Sequence, residues 1–324
     1  MTPRDVVRNT IRFQGAPRLP RSFPGHFGYS SDFHGCGLHP SPDARPRSGR
    51  DEWGSVWANI GVSNLGEVKD FPIKDWSDFD EGMIPDIDAK NRFDGLKDVR
   101  EKAGDRYLLG HGISIYERVH FLRGLENAWI DIYEEPENLC RLLDVLVGMN
   151  LEVIERYAGF GVDGYMFCDD WGLQNALMIH PDKWRALWKP RYRAIYEAAH
   201  AHGMDTFLHS CGYIIDILGD LIEAGLDVIQ MDQQDNMGLE RLGELYCGRI
   251  TFYAPADIQT ILPTGDLALI RRYCGEMKRQ LAAENGGFIP CWYGDPKGAG
   301  HSEEAVKAMC EAFLEESIET NTQA

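Results

Sequence analysis

One histidine and two cysteines have the types and the spacing that could bind a metal ion. His209 and Cys211 stand two residues apart at the end of one apolar run, and Cys291 ends a second run. Residues i and i+2 of a β-strand point to the same side, so the first two side chains face one way. Imidazole and thiolate are zinc ligands, and three protein ligands leave the open position typical of catalytic zinc. Cysteines packed as small apolar residues, beside a core histidine, are the alternative that spacing alone leaves open.

Carboxylates follow two neighbouring runs. Asp169 and Asp170 come directly after the run that ends at Cys168, and Asp232 ends the run after His209. Adjacent residues face opposite ways, so one of the pair enters the site. Two nearby carboxylates raise the pKa of one of them, which suits a proton donor, and we predict that Asp170 has this catalytic role. Asp232 is predicted to be a fourth ligand or an acid–base group, and a turn-capping aspartate is the alternative.

Aromatic and polar residues near the same run ends are candidates for contacts to a substrate. Aromatic rings there could enclose an aryl group, although barrels bury many aromatic rings for structural reasons alone. The predicted substrate-binding residues are Trp57, His111, Gln174, Tyr253 and Trp292. Further candidates of the same kind are Trp53, Tyr165, Trp171, Tyr293, His26 and His34.

The elements that carry these residues repeat one rhythm, in which an amphipathic helix ends at glycine and a short β-rich run follows. This alternation predicts βαβ units and a parallel sheet. Six strands are expected near 107–113, 162–168, 204–209, 226–231, 250–254 and 288–291, and the segment 23–62 could supply two more. Helices are expected from Pro136, from Pro181 with a kink at Pro190, and near 214–224, 265–285 and 303–317.

Eight strands would close an α/β barrel of the (β/α)₈ TIM type, with catalytic groups at the carboxyl ends of the strands. We therefore predict one domain over residues 1–324, with an N-terminal arm over about 1–22 and an irregular insertion over about 66–100. An open doubly wound sheet is the alternative, but no GxGxxG follows a predicted strand to support a dinucleotide site.

Composition narrows the function classes. The net charge of −18 over 324 residues argues against nucleic-acid binding, because phosphate backbones require a basic surface. No apolar run is long enough to span a bilayer, so no membrane association is expected. The eight cysteines are spread singly, which is typical of reduced thiols in a cytoplasmic enzyme. The first fifty residues form an exception, with eight arginines against three aspartates.

The motif His209-x-Cys211…Cys291 resembles that of the uroporphyrinogen decarboxylase superfamily, as do the segments Gly164–Trp171, Asp51–Trp57 and Thr2–Val7. Within it, the chain is similar to the corrinoid-linked methyltransferases, and the resemblance spans nearly the whole chain. The decarboxylases carry an arginine-rich segment near their first strand that binds substrate carboxylates. This sequence departs from that pattern, because the corresponding region, Pro20–Gly28, holds one arginine.

The resemblance implies a TIM-type barrel with zinc held by His209, Cys211 and Cys291. It implies transfer of a methyl group between a small substrate and the cobalt of a corrinoid (cobalamin) carried by a partner protein. The expected substrate is a methyl ether such as a methoxylated aromatic compound, with O-demethylation as the reaction. The alternatives are thiol methylation from a methylcobamide, a metal-free uroporphyrinogen-type decarboxylase and a zinc-stabilised binding protein. A homodimer is left open.

Overall fold

Seven parallel strands form the central sheet of the computed structural model, which describes residues 1–59, 61 and 66–315. Neighbouring strands in this sheet follow one another along the chain, from one edge of the sheet to the other. The six strands predicted after residue 107 are all present. The strands are β1 (Phe33–Cys36), β5 (Tyr107–His111), β6 (Gly164–Cys168), β7 (Asp205–His209), β8 (Val228–Gln230), β9 (Thr251–Ala254) and β10 (Phe288–Pro290).

A short extended segment around Ser22 connects the two edges of this sheet. Ser22 forms a parallel bridge with Cys291, and its backbone N–H donates to the Pro290 carbonyl at 3.3 Å. On the other side, the Asp32 N–H donates to the Arg21 carbonyl at 2.8 Å, next to the start of β1. The segment therefore takes the eighth position, and the predicted α/β barrel of the TIM type, folded as one domain, is confirmed. Of the two strands expected within 23–62, only β1 belongs to the barrel.

Helices surround the barrel. The predicted kink at Pro190 is instead a break at Trp188, and Pro190 lies in the first turn of the next helix, where its missing N–H costs nothing. No helix within the described residues is long and apolar enough to cross a bilayer. The helices are α1 (Pro3–Ile11), α2 (Val99–Ala103), α3 (Tyr116–Arg123), α4 (Leu125–Glu134), α5 (Pro136–Gly159), α6 (Pro181–Leu187), α7 (Lys189–Ala201), α8 (Ile215–Ala224), α9 (Leu239–Tyr246), α10 (Leu267–Leu281) and α11 (Glu303–Leu314).

A second, antiparallel sheet covers part of the outside. It consists of β2 (Gly49–Arg50), β3 (Val56–Asn59) and β4 (Gly66–Asp70), in that order. Residues 66–100 thus begin with a strand and continue as short 3₁₀ turns up to α2. The sheet packs on α3, where the Ser55 hydroxyl donates to the Phe121 carbonyl at 2.8 Å.

The basic N-terminal arm closes the amino end of the barrel. The side chain of Asp163, just before β6, is fully buried and binds three arginines. Asp205, at the start of β7, accepts a hydrogen bond from Tyr107 at 2.8 Å and pairs with a further arginine of the arm. The arginines involved are Arg4, Arg8 and Arg100 at Asp163 and Arg12 at Asp205. The clustered positive charge of the arm therefore neutralises buried carboxylates of the barrel itself.

Candidate metal centre

Three potential ligand atoms converge at the carboxyl ends of β6 and β7. The Sγ atom of Cys211 lies 3.4 Å from Nε2 of His209, and Oδ1 of Asp170 lies 3.4 Å from the same nitrogen. All three ligand atoms lie within 4.8 Å of one another. The backbone N–H of Cys211 also donates to Oδ1 of Asp170 at 2.8 Å, which ties the two loops together.

Two glycines allow the loops after β6 and β7 to approach this closely. A Cβ atom on Gly172 would lie 2.3 Å from the Tyr213 nitrogen, and one on Gly212 would lie 2.3 Å from the Gly172 oxygen. Gly212 also has a φ of +76°, which L side chains rarely adopt. His209 is the last residue of β7 and pairs in register with Cys168 at the end of β6. Asp170, which follows β6, and Cys211, which follows β7, therefore lie side by side just beyond the ends of the two strands.

The spacing of the three atoms fits a zinc ion. Tetrahedral zinc binds nitrogen and oxygen at about 2.0–2.1 Å and sulfur at about 2.3 Å. Those bond lengths separate nitrogen from sulfur by about 3.6 Å and nitrogen from oxygen by about 3.4 Å. Both edges that meet at the His209 imidazole measure 3.4 Å. Imidazole, thiolate and carboxylate are also donor groups that zinc accepts.

Cys291 follows β10 and does not join the group of three among the described residues. It lines the same cavity as Gln230, whose side chain contacts Nδ1 of His209. Burial and then the neighbouring Asp232 raise the pKa of the Cys291 thiol well above its ordinary value. The structure therefore brings together two of the three predicted ligands, His209 and Cys211, and leaves the third outside their group.

The two consecutive aspartates have opposite environments. Burial tends to raise the pKa of Asp170, but the adjacent His209 and the Cys211 amide outweigh it and hold the pKa below its usual value. Burial and the nearby Glu117 carboxylate raise the pKa of Asp169 to about 8. Asp169 faces away and accepts hydrogen bonds from the Tyr192 hydroxyl and from the first N–H groups of α3. The raised pKa expected at Asp170 thus occurs at its neighbour, and Asp170 is better suited to bind a cation than to donate a proton.

Asp232 lies close to the centre but outside the group of three. It is 4% exposed, and burial raises its pKa. Its Oδ1 accepts a hydrogen bond from Nε2 of Gln230 at 2.7 Å. Its predicted role as a ligand or acid–base group remains a prediction.

An open cavity of about 400 Å³ adjoins the centre. Gln230, Asp232 and Cys291 form its metal-side wall, and no arginine or lysine lines it among the described residues. The lining residues are Ser22, Ser31, Phe33, Gly35, Leu109, His111, Met166, Gln230, Asp232, Tyr253, Cys291, Trp292, Tyr293 and Gly294.

Three of the five predicted substrate-binding residues line this cavity. Tyr253 stacks on Phe33 at 5.5 Å between ring centroids and donates to the Ser22 hydroxyl at 2.7 Å. His111 is exposed to the cavity and otherwise surrounded by protein, and this burial lowers its pKa, which favours the neutral imidazole. Trp292 lies at the rim, against His26.

The other two predicted residues do not reach the cavity. Trp57 is buried in β3, where its indole N–H donates to Asp51 at 2.9 Å and its ring packs on Phe121. Gln174 is exposed in the loop after β6. Trp57 is held by the antiparallel sheet, which the sequence pattern did not separate from the barrel. Trp53, Tyr165 and Trp171 are likewise buried, and Tyr293 lines the cavity.

Gln230 is the site residue that the sequence analysis missed. It is the last residue of β8 and lies next to His209 in the sheet register. It stands two residues before Asp232, the same i, i+2 spacing that identified His209 and Cys211. Applying that rule to the next strand would have found it.

Comparisons with known proteins agree with this architecture. A sequence profile of the family described as Uroporphyrinogen decarboxylase (URO-D) matches residues 68–289. No curated protein sequence gives a significant match. A solved methyltransferase from Methanosarcina mazei is similar over 97% of this chain and 98% of its own, at 17% identity and a TM-score of 0.71. A chitinase from Chromobacterium violaceum is similar over 92% of this chain and 100% of its own, at 9% identity and a TM-score of 0.42.

Proposed function

The chain belongs to the uroporphyrinogen decarboxylase family, and from that premise we propose that it is a zinc-dependent methyltransferase. Its methyl donor is a small methyl ether, such as a methoxylated aromatic compound, and the acceptor is the cobalt of a corrinoid carried by a partner protein. The observation that carries the proposal is the convergence of Asp170, His209 and Cys211 at the carboxyl end of the barrel. The full-length likeness in fold to a methyltransferase supports it.

Asp170, His209 and Cys211 would hold the zinc, and Cys291 is the candidate for a further ligand. Bound there, zinc would act as a Lewis acid toward an ether oxygen, which makes that oxygen a better leaving group. The low pKa of Asp170 keeps it ionised, so that it contributes negative charge to the ligand set. With both cysteines deprotonated on binding, two thiolates and one carboxylate would carry three negative charges, one more than a divalent cation neutralises.

The cavity next to these ligands has the chemistry to bind an uncharged aromatic group. The Tyr253 and Phe33 rings are nearly parallel, at 10° between planes, and form one wall. Trp292 and Tyr293 contribute further aromatic surface at the rim. His111 can hydrogen-bond a substituent of the substrate, because its side chain faces the cavity in the neutral form.

The same lining argues against decarboxylation of a porphyrinogen. Such a substrate carries several carboxylates, and their recognition would require cationic side chains. Within the part of the chain that the structure describes, none of the residues that line the cavity is an arginine or a lysine. In the arm itself, Arg18 is already engaged with Asp32 through two hydrogen bonds of 2.7 Å.

The experiment is a spectroscopic assay of methyl transfer. Protein loaded with zinc is mixed with a reduced corrinoid protein and a set of methyl ethers, and methyl-cobalt formation is followed by absorbance. We expect methylation with a methoxylated aromatic donor and none after Cys211→Ser, while Cys247→Ser, directly after the last residue of α9, behaves as the wild type. Consumption of methyl-cobalt by thiols, without any ether reaction, would instead favour the thiol methyltransferase. Release of CO₂ from a porphyrinogen by metal-free protein would contradict the proposal.

A further inference from the structure

The side-chain amide of Gln230 connects groups that the proposed mechanism treats separately. Its Oε1 atom contacts Nδ1 of His209, and its Nε2 atom donates to Oδ1 of Asp232 at 2.7 Å. It also lines the cavity, together with Cys291. Gln230 thus touches a proposed ligand and the substrate space.

The orientation of this amide follows from its partners. Asp232 offers only acceptor oxygens when ionised, so the NH₂ group must face Asp232. The carbonyl oxygen then faces His209, where it can only accept a hydrogen bond. Nδ1 of His209 must therefore carry a proton, which leaves Nε2 as the ring nitrogen that can bind a metal ion. Nε2 is the nitrogen that lies 3.4 Å from both Cys211 Sγ and Asp170 Oδ1.

We infer that Gln230 is a positioning residue that fixes the ring orientation and tautomer of His209 for metal binding, with Asp232 as its anchor. The inference rests on the proposed function, because it assumes that Nε2 binds zinc. A ligating histidine generally donates its other N–H to an oxygen, and loss of that partner weakens metal affinity about 10–100-fold. Here the partner is a neutral amide on the next strand, held in turn by a buried carboxylate.

The arrangement also assigns Asp232 a place. Asp232 lies outside the group of three potential ligands, yet removal of its acceptor would free the Gln230 amide to rotate. Its effect on the metal therefore passes through Gln230 and His209. Substitution of Asp232 by leucine should weaken metal binding in the same direction as loss of Gln230, but by a smaller factor.

The test measures the affinity for Zn²⁺ alone, by competition with a chelator, in four full-length proteins. These are the wild type, Gln230→Met, Gln230→Glu and Gln259→Met, in which an exposed glutamine after β9 receives the same change. We expect Gln230→Met to bind zinc about 10–100-fold more weakly. Gln230→Glu keeps an acceptor for Nδ1–H but loses the donor to Asp232, so it should recover part of that loss. Gln259→Met should equal the wild type.

Melting temperatures of the metal-free proteins identify any loss of folding. If Gln230→Met folds poorly, the test rests on Gln230→Glu, which keeps the side-chain volume. If Gln230→Met binds zinc as tightly as the wild type, the inference about Gln230 is overturned, whereas the proposed function is not. An equal loss in both Gln230 variants would assign the effect to packing and also overturn it. Absence of zinc binding in all four proteins would contradict the proposed function as well.

Discussion

At the amino end of the barrel, Asp163 is buried among Arg4, Arg8 and Arg100, whereas at the carboxyl end Asp170 and Asp232 form no ion pair with arginine or lysine among the described residues. Both ends bury carboxylates, which is costly without a compensating cation. At the amino end the chain supplies the cations itself, through its N-terminal arm and Arg100 of α2. At the carboxyl end it supplies acceptors, a thiol and an imidazole instead.

This difference teaches how the barrel divides stability from function. In TIM barrels the amino end is a structural face, and the carboxyl end carries the chemistry. A carboxylate that is already paired with arginines of the chain stabilises the fold and is not available to bind an added cation. Acceptor groups that converge without an arginine or lysine of the chain can bind a cation from solution. The comparison predicts that changes at the amino end affect stability and that changes at the carboxyl end affect metal binding.

The largest effect is expected from Cys211→Ala. Loss of a direct ligand should weaken zinc affinity by more than the roughly 100-fold that a supporting residue can cost. The melting temperature of the metal-free protein should change little, because Cys211 is only half-buried. Chelator competition and thermal melting measure the two quantities. A Cys211→Ala protein with a lower melting temperature and unchanged zinc affinity would contradict the assignment of metal binding to the carboxyl end.

Asp163→Asn should produce the opposite pattern. It removes the carboxylate that three arginines share at the amino end, and we expect the free energy of unfolding to fall by about 2–3 kcal/mol, since those arginines are partly exposed. Zinc affinity should stay within a factor of about two, because the site lies at the other end of the strands. Denaturant unfolding provides the measurement, and a matched loss of zinc would show that the two ends are coupled.

A smaller effect should separate the two candidates for the third ligand. Asp170→Asn removes the carboxylate nearest the imidazole, and Cys291→Ser removes the thiol beyond Gln230. Asn keeps one oxygen at this position, so if the group of three holds the metal, the first change should weaken zinc binding by only about 10–100-fold and the second by less. The reverse order would favour the His209, Cys211 and Cys291 set that the sequence predicts.

The smallest effect concerns His200 at the amino end. The hydrogen bond to Asp227, at 2.7 Å, raises the pKa of His200, although burial opposes it. This contribution to stability is therefore complete below about pH 6.5, the pKa of unfolded histidine. It is lost as the pH rises through the folded value. His200→Gln should lower the free energy of unfolding by at most about 0.5 kcal/mol near pH 6, because the side chain is 41% exposed. Unfolding curves at pH 6 and pH 9 test this, and an equal loss at both would contradict it.

The sequence predicts the second half of the fold well, because β6, β7 and β8 each follow a helix that ends within two residues of a glycine. It does not predict α9, which ends next to Cys247. It does not predict α3, whose buried face includes Arg118, a residue that breaks the apolar pattern and that pairs with Asp43. The three-stranded outer sheet was also missed, and with it the location of Trp57. Both depend on contacts between distant segments, which local patterns do not encode.

The candidate site follows the same division. Alternation along one strand is enough to place His209 beside Cys211. The approach of Asp170 depends on backbone contact between Gly172 and Gly212 in two different loops, which no spacing within one strand reveals. The position of Cys291 depends on the curvature of the barrel across β8 and β9. The sequence therefore identifies residues at the right end of the barrel but not which of them meet.

X-ray absorption at the zinc edge of the loaded protein tests the central claim most directly. We predict about one zinc per chain, with nitrogen and oxygen neighbours at about 2.0–2.1 Å and at least one sulfur at about 2.3 Å that disappears in Cys211→Ala. A second sulfur would add Cys291 to the ligand set. Zinc surrounded by nitrogen and oxygen alone, or no bound zinc, would contradict the assignment of the carboxyl end as a metal centre.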